Sequence, residues 1–120
     1  MPIRRILVVD DSAADRAHLE GILTRAKYDV TTANSGREAV AAVKSRKPDL
    51  VFMDVVMAEM DGFEACRLIT RDPETKHVPI VFCTSKGSKA DRVWAQMNGG
   101  KGLVSKPFTE EQILEQLALF

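Results

Sequence analysis

The sequence predicts an α/β fold of the doubly wound (βα)5 type, in which five parallel strands alternate with five helices. Continuous apolar runs recur along the chain, and stretches with a helical spacing of apolar residues separate them. The length of 120 residues fits one domain. We therefore predict a single domain over residues 1–120, with right-handed crossovers and helices on both faces of the sheet.

The strands are predicted from the apolar runs. Residues 6–9, 50–53 and 80–83 are continuously apolar and rich in β-branched or aromatic side chains, which suits strands buried on both faces. Residues 30–33 are more polar and indicate an edge strand. Residues 103–104 predict a short fifth strand that ends before the break at Lys106-Pro107.

The helices are predicted from apolar residues that recur every three or four positions. Helix by helix these are Leu19, Ile22, Leu23 and Ala26; Ala39, Val40 and Val43; Phe63, Cys66 and Ile69; Ala90, Val93, Trp94 and Met97; and Ile113, Leu114 and Leu117. Ser35 with Glu38, and Thr109 with Gln112, have the spacing of capping boxes. Gly99-Gly100 is expected to end the fourth helix.

Composition and charge exclude several classes of protein. Lys+Arg and Asp+Glu both total 17, so there is no basic excess to favour nucleic acid or an anionic membrane. We find no apolar run of about 18 residues for membrane insertion and no signal-peptide pattern at the start. Cys66 and Cys83 lack metal-site spacing and are expected to be buried and reduced. These features predict a cytoplasmic protein.

Carboxylates follow two of the predicted strands. In the flavodoxin-like strand order 2-1-3-4-5, ligands bind beyond the strand ends between strands one and three. Asp10 and Asp11 follow strand one, and Asp54 follows strand three. Singly, Asp10 and Asp11 have the alternative role of complementing a helix dipole, and Asp54 that of forming a turn. A flavin or nucleotide carrier is disfavoured, because no phosphate-binding glycine loop is present.

The three carboxylates repel one another unless a cation is bound, and hard oxygen ligands favour Mg²⁺, for which Mn²⁺ could substitute. Thr84 and Ser85 add hydroxyl groups after strand four, and Lys106 adds an ammonium group after strand five. Acids, metal, hydroxyl and lysine together are typical of a phosphoryl-transfer site, in which a carboxylate can be the nucleophile.

Four motifs in this order resemble the receiver domain of bacterial two-component response regulators, in its stand-alone CheY-like form. They lie at residues 8–12 (VVDDS), 53–57 (MDVVM, with Asp61-Gly62), 83–85 (CTS) and 105–108 (SKPF). The resemblance implies that Asp54 accepts a phosphoryl group from a sensor histidine kinase. It also implies that Asp11, Asp54 and the backbone carbonyl of Val56 ligate Mg²⁺, with Asp10 acting through a water.

The remaining site residues take their roles from the same resemblance. Thr84 and Ser85 would lie beside the phosphoryl group, Thr84 shifting towards it on activation. Lys106 would neutralise the phosphoryl charge, and its bond to Pro107 would be cis. Phosphorylation would then change partner binding through the face formed by helix four, strand five and helix five. Such a protein is a phosphorylated switch rather than a conventional enzyme.

The sequence also departs from the family pattern. Ala58 stands where proline is usual, which predicts a looser loop after Asp54. Leu103 stands at the switch position usually held by an aromatic residue, which puts the usual coupling to Thr84 in doubt. The resemblance also implies that Val56 and Lys86 occupy the positions that flank the phosphoryl group and tune its lifetime. Because Val56 cannot orient an attacking water, we predict slow self-dephosphorylation.

The stretches at residues 91–94 and 105–111 are similar to receivers of type IV pilus (twitching motility) chemosensory systems, of the PilH and PilG type. Trp94 is expected to pack partly on the core, or else to bind a protein target.

The main alternative function is a degenerate receiver, a protein-interaction module that needs no phosphate. A Mg²⁺-dependent phosphatase is disfavoured because Val56 stands where a second aspartate would serve as general acid. The target is unknown, and a monomer or weak dimer is expected.

Overall fold

Five parallel strands form one sheet in the computed structural model, which describes residues 2–85 and 87–120. The strand order is β2-β1-β3-β4-β5, so the predicted order is confirmed. The strands are β1 (Arg5–Val9), β2 (Asp29–Ala33), β3 (Leu50–Met53), β4 (Ile80–Thr84) and β5 (Gly102–Ser105). The more polar run does form an edge strand, since β2 pairs with β1 along one side.

Helices cover both faces of the sheet. They are α1 (Ala13–Arg25), α2 (Gly36–Arg46), α3 (Gly62–Arg71), α4 (Lys89–Met97) and α5 (Glu110–Leu117). Apolar residues of α1 and α5 pack with one set of strand side chains, and those of α2, α3 and α4 pack with the other set. The central strands β1, β3 and β4 are therefore buried on both faces, which explains their continuous apolar sequence.

Side-chain caps fix where the helices begin. Ser35 accepts a hydrogen bond from the Glu38 backbone N–H, and Thr109 forms a complete capping box with Gln112. At the end of α4, Gly99 has a φ of +96°, a left-handed conformation that glycine adopts without strain. The predicted start of α2, start of α5 and end of α4 are confirmed.

Helix α4 corrects one detail of the sequence analysis. The apolar spacing located the helix, but Val93, Trp94 and Met97 are 52%, 48% and 72% exposed. The side facing the core carries Ala95 and Asn98 instead. Asn98 can be buried because its amide oxygen accepts from Arg67 Nη1 at 2.8 Å and its amide nitrogen donates to the Trp94 carbonyl at 2.7 Å.

Trp94 is thus only partly packed, with its ring nearly perpendicular to that of Phe63 at a centroid distance of 6.3 Å. Both cysteines are free and buried as predicted, and burial raises the pKa of Cys66 to about 12. Within the described residues, we find no helix with the length and apolar character needed to span a bilayer.

Candidate functional site

Strand register places the acidic residues of β1 and β3 side by side. Val9 and Met53 are register partners, so the residues that follow them, Asp10 and Asp54, leave the sheet at the same edge. The Asp54 N–H donates to the Val9 carbonyl at 3.0 Å, and the Asp10 N–H donates to the Ala33 carbonyl at 3.2 Å. The backbone therefore holds both acids before any side-chain contact is made.

The three predicted carboxylates form one cluster. Each of Asp10, Asp11 and Asp54 offers an oxygen, and these oxygens lie within 4.8 Å of one another. Asp10 and Asp54 are buried, whereas Asp11 is exposed and leaves the cluster open to solvent. An open set of carboxylate oxygens fits a hard divalent cation that retains some of its water, so the residues present suit Mg²⁺.

Lys106 reaches into this cluster from the end of β5. Its Nζ lies 2.7 Å from Asp10 Oδ2, 2.9 Å from Asp15 Oδ2 and 3.5 Å from Asp54 Oδ2. Burial alone lowers the pKa of Lys106, but its hydrogen bonds to Asp10 and Asp15 and the charge of Asp54 outweigh that cost and raise the pKa. The ammonium group is therefore a fixed positive charge of the site.

The surroundings of Asp54 shift the pKa of its carboxyl group in opposite directions. Burial raises its pKa, and the charge of Asp10 acts in the same direction. The charge of Lys106 and a 2.8 Å hydrogen bond from the Val55 N–H to Asp54 Oδ1 act in the opposite direction, and the pKa remains raised overall. A bound cation would favour the charged form that a nucleophile requires.

The predicted hydroxyl groups lie at the end of β4. Thr84 is completely buried there, and its carbonyl accepts from the Lys106 N–H at 2.8 Å, which ties the two loops together. Ser85 is exposed and lines a cavity of about 330 Å³ with Lys106 and Pro107. The peptide bond between Lys106 and Pro107 is cis.

Three further residues named from the sequence lie around this centre. Val56 is 52% exposed in the loop after β3. Leu103 is buried, and its carbonyl accepts a hydrogen bond from Arg92 Nη1 at 3.1 Å. Lys86 lies outside the described residues.

The loop that follows Asp54 is held by the start of α3. The Gly62 N–H donates to the Val55 carbonyl at 2.8 Å, and Asp61 caps the helix. A Cβ at Gly62 would overlap the backbone carbonyl of Asp54, so the close approach requires glycine. This contact gives the Asp61-Gly62 pair a structural role in placing the acid.

Sequence reasoning missed the contributions of α1. Ser12 caps the helix, and its own N–H donates to Asp10 Oδ1 at 2.9 Å. Arg16 Nη1 donates to the Asp10 carbonyl at 2.8 Å, and Asp15 contacts Lys106. The Ser12–Asp15 spacing does signal a helix start, but no local pattern could have shown that the Asp15 side chain reaches Lys106.

Comparisons with known proteins agree with this architecture. A family model described as "Response regulator receiver domain" matches residues 6–118. PilH of Pseudomonas aeruginosa is 37% identical over 113 residues, covering 94% of this chain and 93% of that protein. CheY of Thermotoga maritima, a chemotaxis protein, is 40% identical over 116 residues, covering 95% and 94%.

A solved structure also resembles the chain closely. It is the receiver domain of the sensor histidine kinase PA1611 from Pseudomonas aeruginosa, described with a magnesium ion coordinated in its active-site cleft. The TM-score is 0.89 at 27% identity, with 97% of this chain and 95% of that one covered.

Proposed function

Because this chain belongs to the response regulator receiver domain family, we propose that it is a signalling switch controlled by phosphorylation of Asp54. The observation that carries the proposal is the convergence of Asp10, Asp11 and Asp54 with the Lys106 ammonium group at one edge of the sheet. A degenerate receiver would be expected to lack one of these groups, and none is missing.

The proposed reaction is transfer of a phosphoryl group from a phosphohistidine of a sensor kinase. A carboxylate oxygen of Asp54 attacks phosphorus, the phosphorus–oxygen bond forms and the phosphorus–nitrogen bond breaks, and the electron pair returns to the imidazole. Hydrolysis later restores the carboxylate and releases phosphate. The protein supplies the nucleophile for its own modification and is in this sense a switch rather than a conventional enzyme.

The proposed cation is Mg²⁺, with Mn²⁺ as a substitute. Asp11, Asp54 and the backbone carbonyl of Val56 would hold it, with Asp10 acting through a water. When bound, the cation neutralises charge on the transferring phosphoryl oxygens. The magnesium ion described in the PA1611 receiver domain supports this assignment.

Other residues would respond to the new charge on Asp54. Lys106 is close enough to pair with a phosphoryl oxygen, and Thr84 and Ser85 would bind the group from the end of β4. We propose that these shifts reach the α4–β5–α5 face, where Leu103 replaces the usual aromatic residue. Val56 and Lys86 would flank the phosphoryl group. Because Val56 carries no polar group to orient an attacking water, we expect slow hydrolysis. The rate at which the phosphorylated protein loses its phosphate would measure this.

The proposed partners are a sensor histidine kinase as donor and a protein target that is not yet identified. The similarity to PilH and CheY supports a role in twitching motility or chemotaxis. The free cysteines are compatible with a reducing compartment, and we propose the cytoplasm. We also propose that residues 1–120 act as one domain, as a monomer or weak dimer.

Phosphorylation by a small acyl phosphate tests the proposal without the cognate kinase. Intact-mass measurement should show one added phosphoryl group on the wild type with Mg²⁺, and none with a chelator. The Asp54→Asn variant should show none, and the exposed-site control Glu115→Gln should behave as the wild type. Equal incorporation by wild type and Asp54→Asn, or incorporation by neither, would reject the proposed function.

A further inference from the structure

Lys106 is shared between carboxylates that have different roles. Its Nζ makes its two short contacts with Asp10 and Asp15, at 2.7 and 2.9 Å, whereas Asp54 is farther away at 3.5 Å. Asp10 and Asp54 belong to the acidic cluster at the strand ends. Asp15 comes from the first turn of α1 and is not part of that cluster. It is therefore an additional acceptor for the one ammonium group that faces Asp54 among the described residues.

The position of Asp15 is fixed by its helix. The Ser12 hydroxyl accepts from the Asp15 backbone N–H at 3.3 Å, which caps α1 independently of the Asp15 side chain. The Asp15 carboxylate is about half exposed, and the Lys106 side chain is 16% exposed. The charge of Asp15 can thus be removed while the cap remains, and the effect can be assigned to its contact with Lys106.

We propose that Asp15 is a positioning residue that holds Lys106 in the resting site and competes with the phosphoryl group for its ammonium. The inference rests on the proposed phosphorylation of Asp54. A phosphoryl group on Asp54 needs the positive charge of Lys106, and any transfer of charge towards it weakens the contact with Asp15. Asp15 therefore opposes the phosphorylated state, and its removal should favour that state.

Beryllofluoride, an anionic mimic of a phosphoryl group, provides the test when titrated with Mg²⁺. Because a partly exposed ion pair contributes up to about 1 kcal/mol, Asp15→Asn should bind beryllofluoride about two- to fivefold more tightly than wild type. Glu20→Gln removes the same charge further along α1 and should leave the affinity unchanged. Unchanged or weaker binding by Asp15→Asn would overturn the proposal.

A spectroscopic measurement separates positioning from a general change in charge. In the unliganded protein, the NMR signal of the Lys106 ammonium protons should exchange with water faster in Asp15→Asn than in wild type or Glu20→Gln. If exchange is unchanged, Asp15 does not hold Lys106 and the inference is wrong. Asp15→Ser, which keeps a residue favourable near a helix N-terminus, replaces Asp15→Asn in both measurements should the latter fold poorly.

The two proposals fail in different ways. Absence of beryllofluoride binding by the wild type would count against phosphorylation of Asp54 whatever Asp15 does. The exchange of the Lys106 ammonium protons needs no ligand, so it still decides whether Asp15 holds Lys106.

Discussion

Lys106 is the residue whose contacts decide the electrostatics of the site. Its ammonium group lies within 3.5 Å of carboxylate oxygens of Asp10, Asp15 and Asp54. One positive charge does not balance these three acids and Asp11, so the site keeps a negative excess that suits a divalent cation. Burial raises the pKa of Asp54 and the charge of Asp10 adds to this effect, so the pKa is raised although the carboxylate lies beside a lysine.

The raised pKa of Asp54 predicts a stability effect with a definite sign. At a pH below the unfolded-state pKa, the Asp54 carboxyl group is neutral in both the folded and the unfolded state and has no effect on stability. At a pH above the raised folded-state pKa it is charged in both states, and the whole cost of burying that charge lowers the free energy of unfolding. With divalent cations chelated, Asp54→Asn should therefore increase the free energy of unfolding at pH 7 by about 1 kcal/mol. The increase should shrink as the pH falls through the raised pKa.

Urea unfolding of wild type and Asp54→Asn at pH 7 and at pH 4 measures this difference. The control Glu115→Gln removes an exposed charge on α5 and should change stability by less than about 0.5 kcal/mol at either pH. A less stable Asp54→Asn at pH 7, or a difference that does not change with pH, would contradict the electrostatic account.

Among the elements, the turn from β3 into α3 is the one that positions Asp54. Gly62 begins α3 against the backbone carbonyl of Asp54, and its N–H donates to the Val55 carbonyl at 2.8 Å. The start of α3 and the backbone of Asp54 therefore lie in close contact. In the sequence, Ala58 predicts a looser loop after Asp54. Since the contact with Gly62 holds the beginning of that loop, we expect any such looseness only in its exposed part around Ala58.

Two glycine substitutions test this close approach. Gly62→Ala places a Cβ on the Asp54 carbonyl and should destabilise the protein by about 1–3 kcal/mol. Gly21→Ala, inside α1, brings a Cβ only to the flexible end of Arg25 at 3.3 Å. It should stabilise the protein by about 0.5–1 kcal/mol through helix propensity.

Thermal or urea unfolding of both variants gives the answer in one experiment. If Gly62→Ala were as stable as wild type, the packing of α3 against the Asp54 backbone would be looser than described. If Gly21→Ala were destabilised as well, the effect at Gly62 could not be assigned to this contact.

At the scale of the whole molecule, the strand order brings distant parts of the chain to one edge. Asp15 and Lys106 are 91 residues apart in sequence, and Asp10 and Lys106 are 96 residues apart. Parallel strands all end at the same edge, so a short motif after each strand suffices to build the site. This is why the acids and the lysine at the strand ends could be identified from the sequence.

The fold was predictable because strands buried on both faces read as unbroken apolar runs. The orientation of α4 was not, since its apolar residues Val93, Trp94 and Met97 lie on the exposed side while Asn98 is buried with its hydrogen bonds satisfied. Asp15 was not predictable for a similar reason. Its partner is set by tertiary packing of α1 near the end of β5, and helical spacing carries no information about that contact.

Localising the phosphoryl group tests the central claim most directly. An acyl phosphate on an aspartate is reduced by borohydride to homoserine, which marks the modified residue in a peptide map. After treatment of the wild type with an acyl phosphate donor and Mg²⁺, we expect this conversion at Asp54 and its loss when the cation is chelated. Conversion at another aspartate with Asp54 intact, or no conversion at all, would contradict the account.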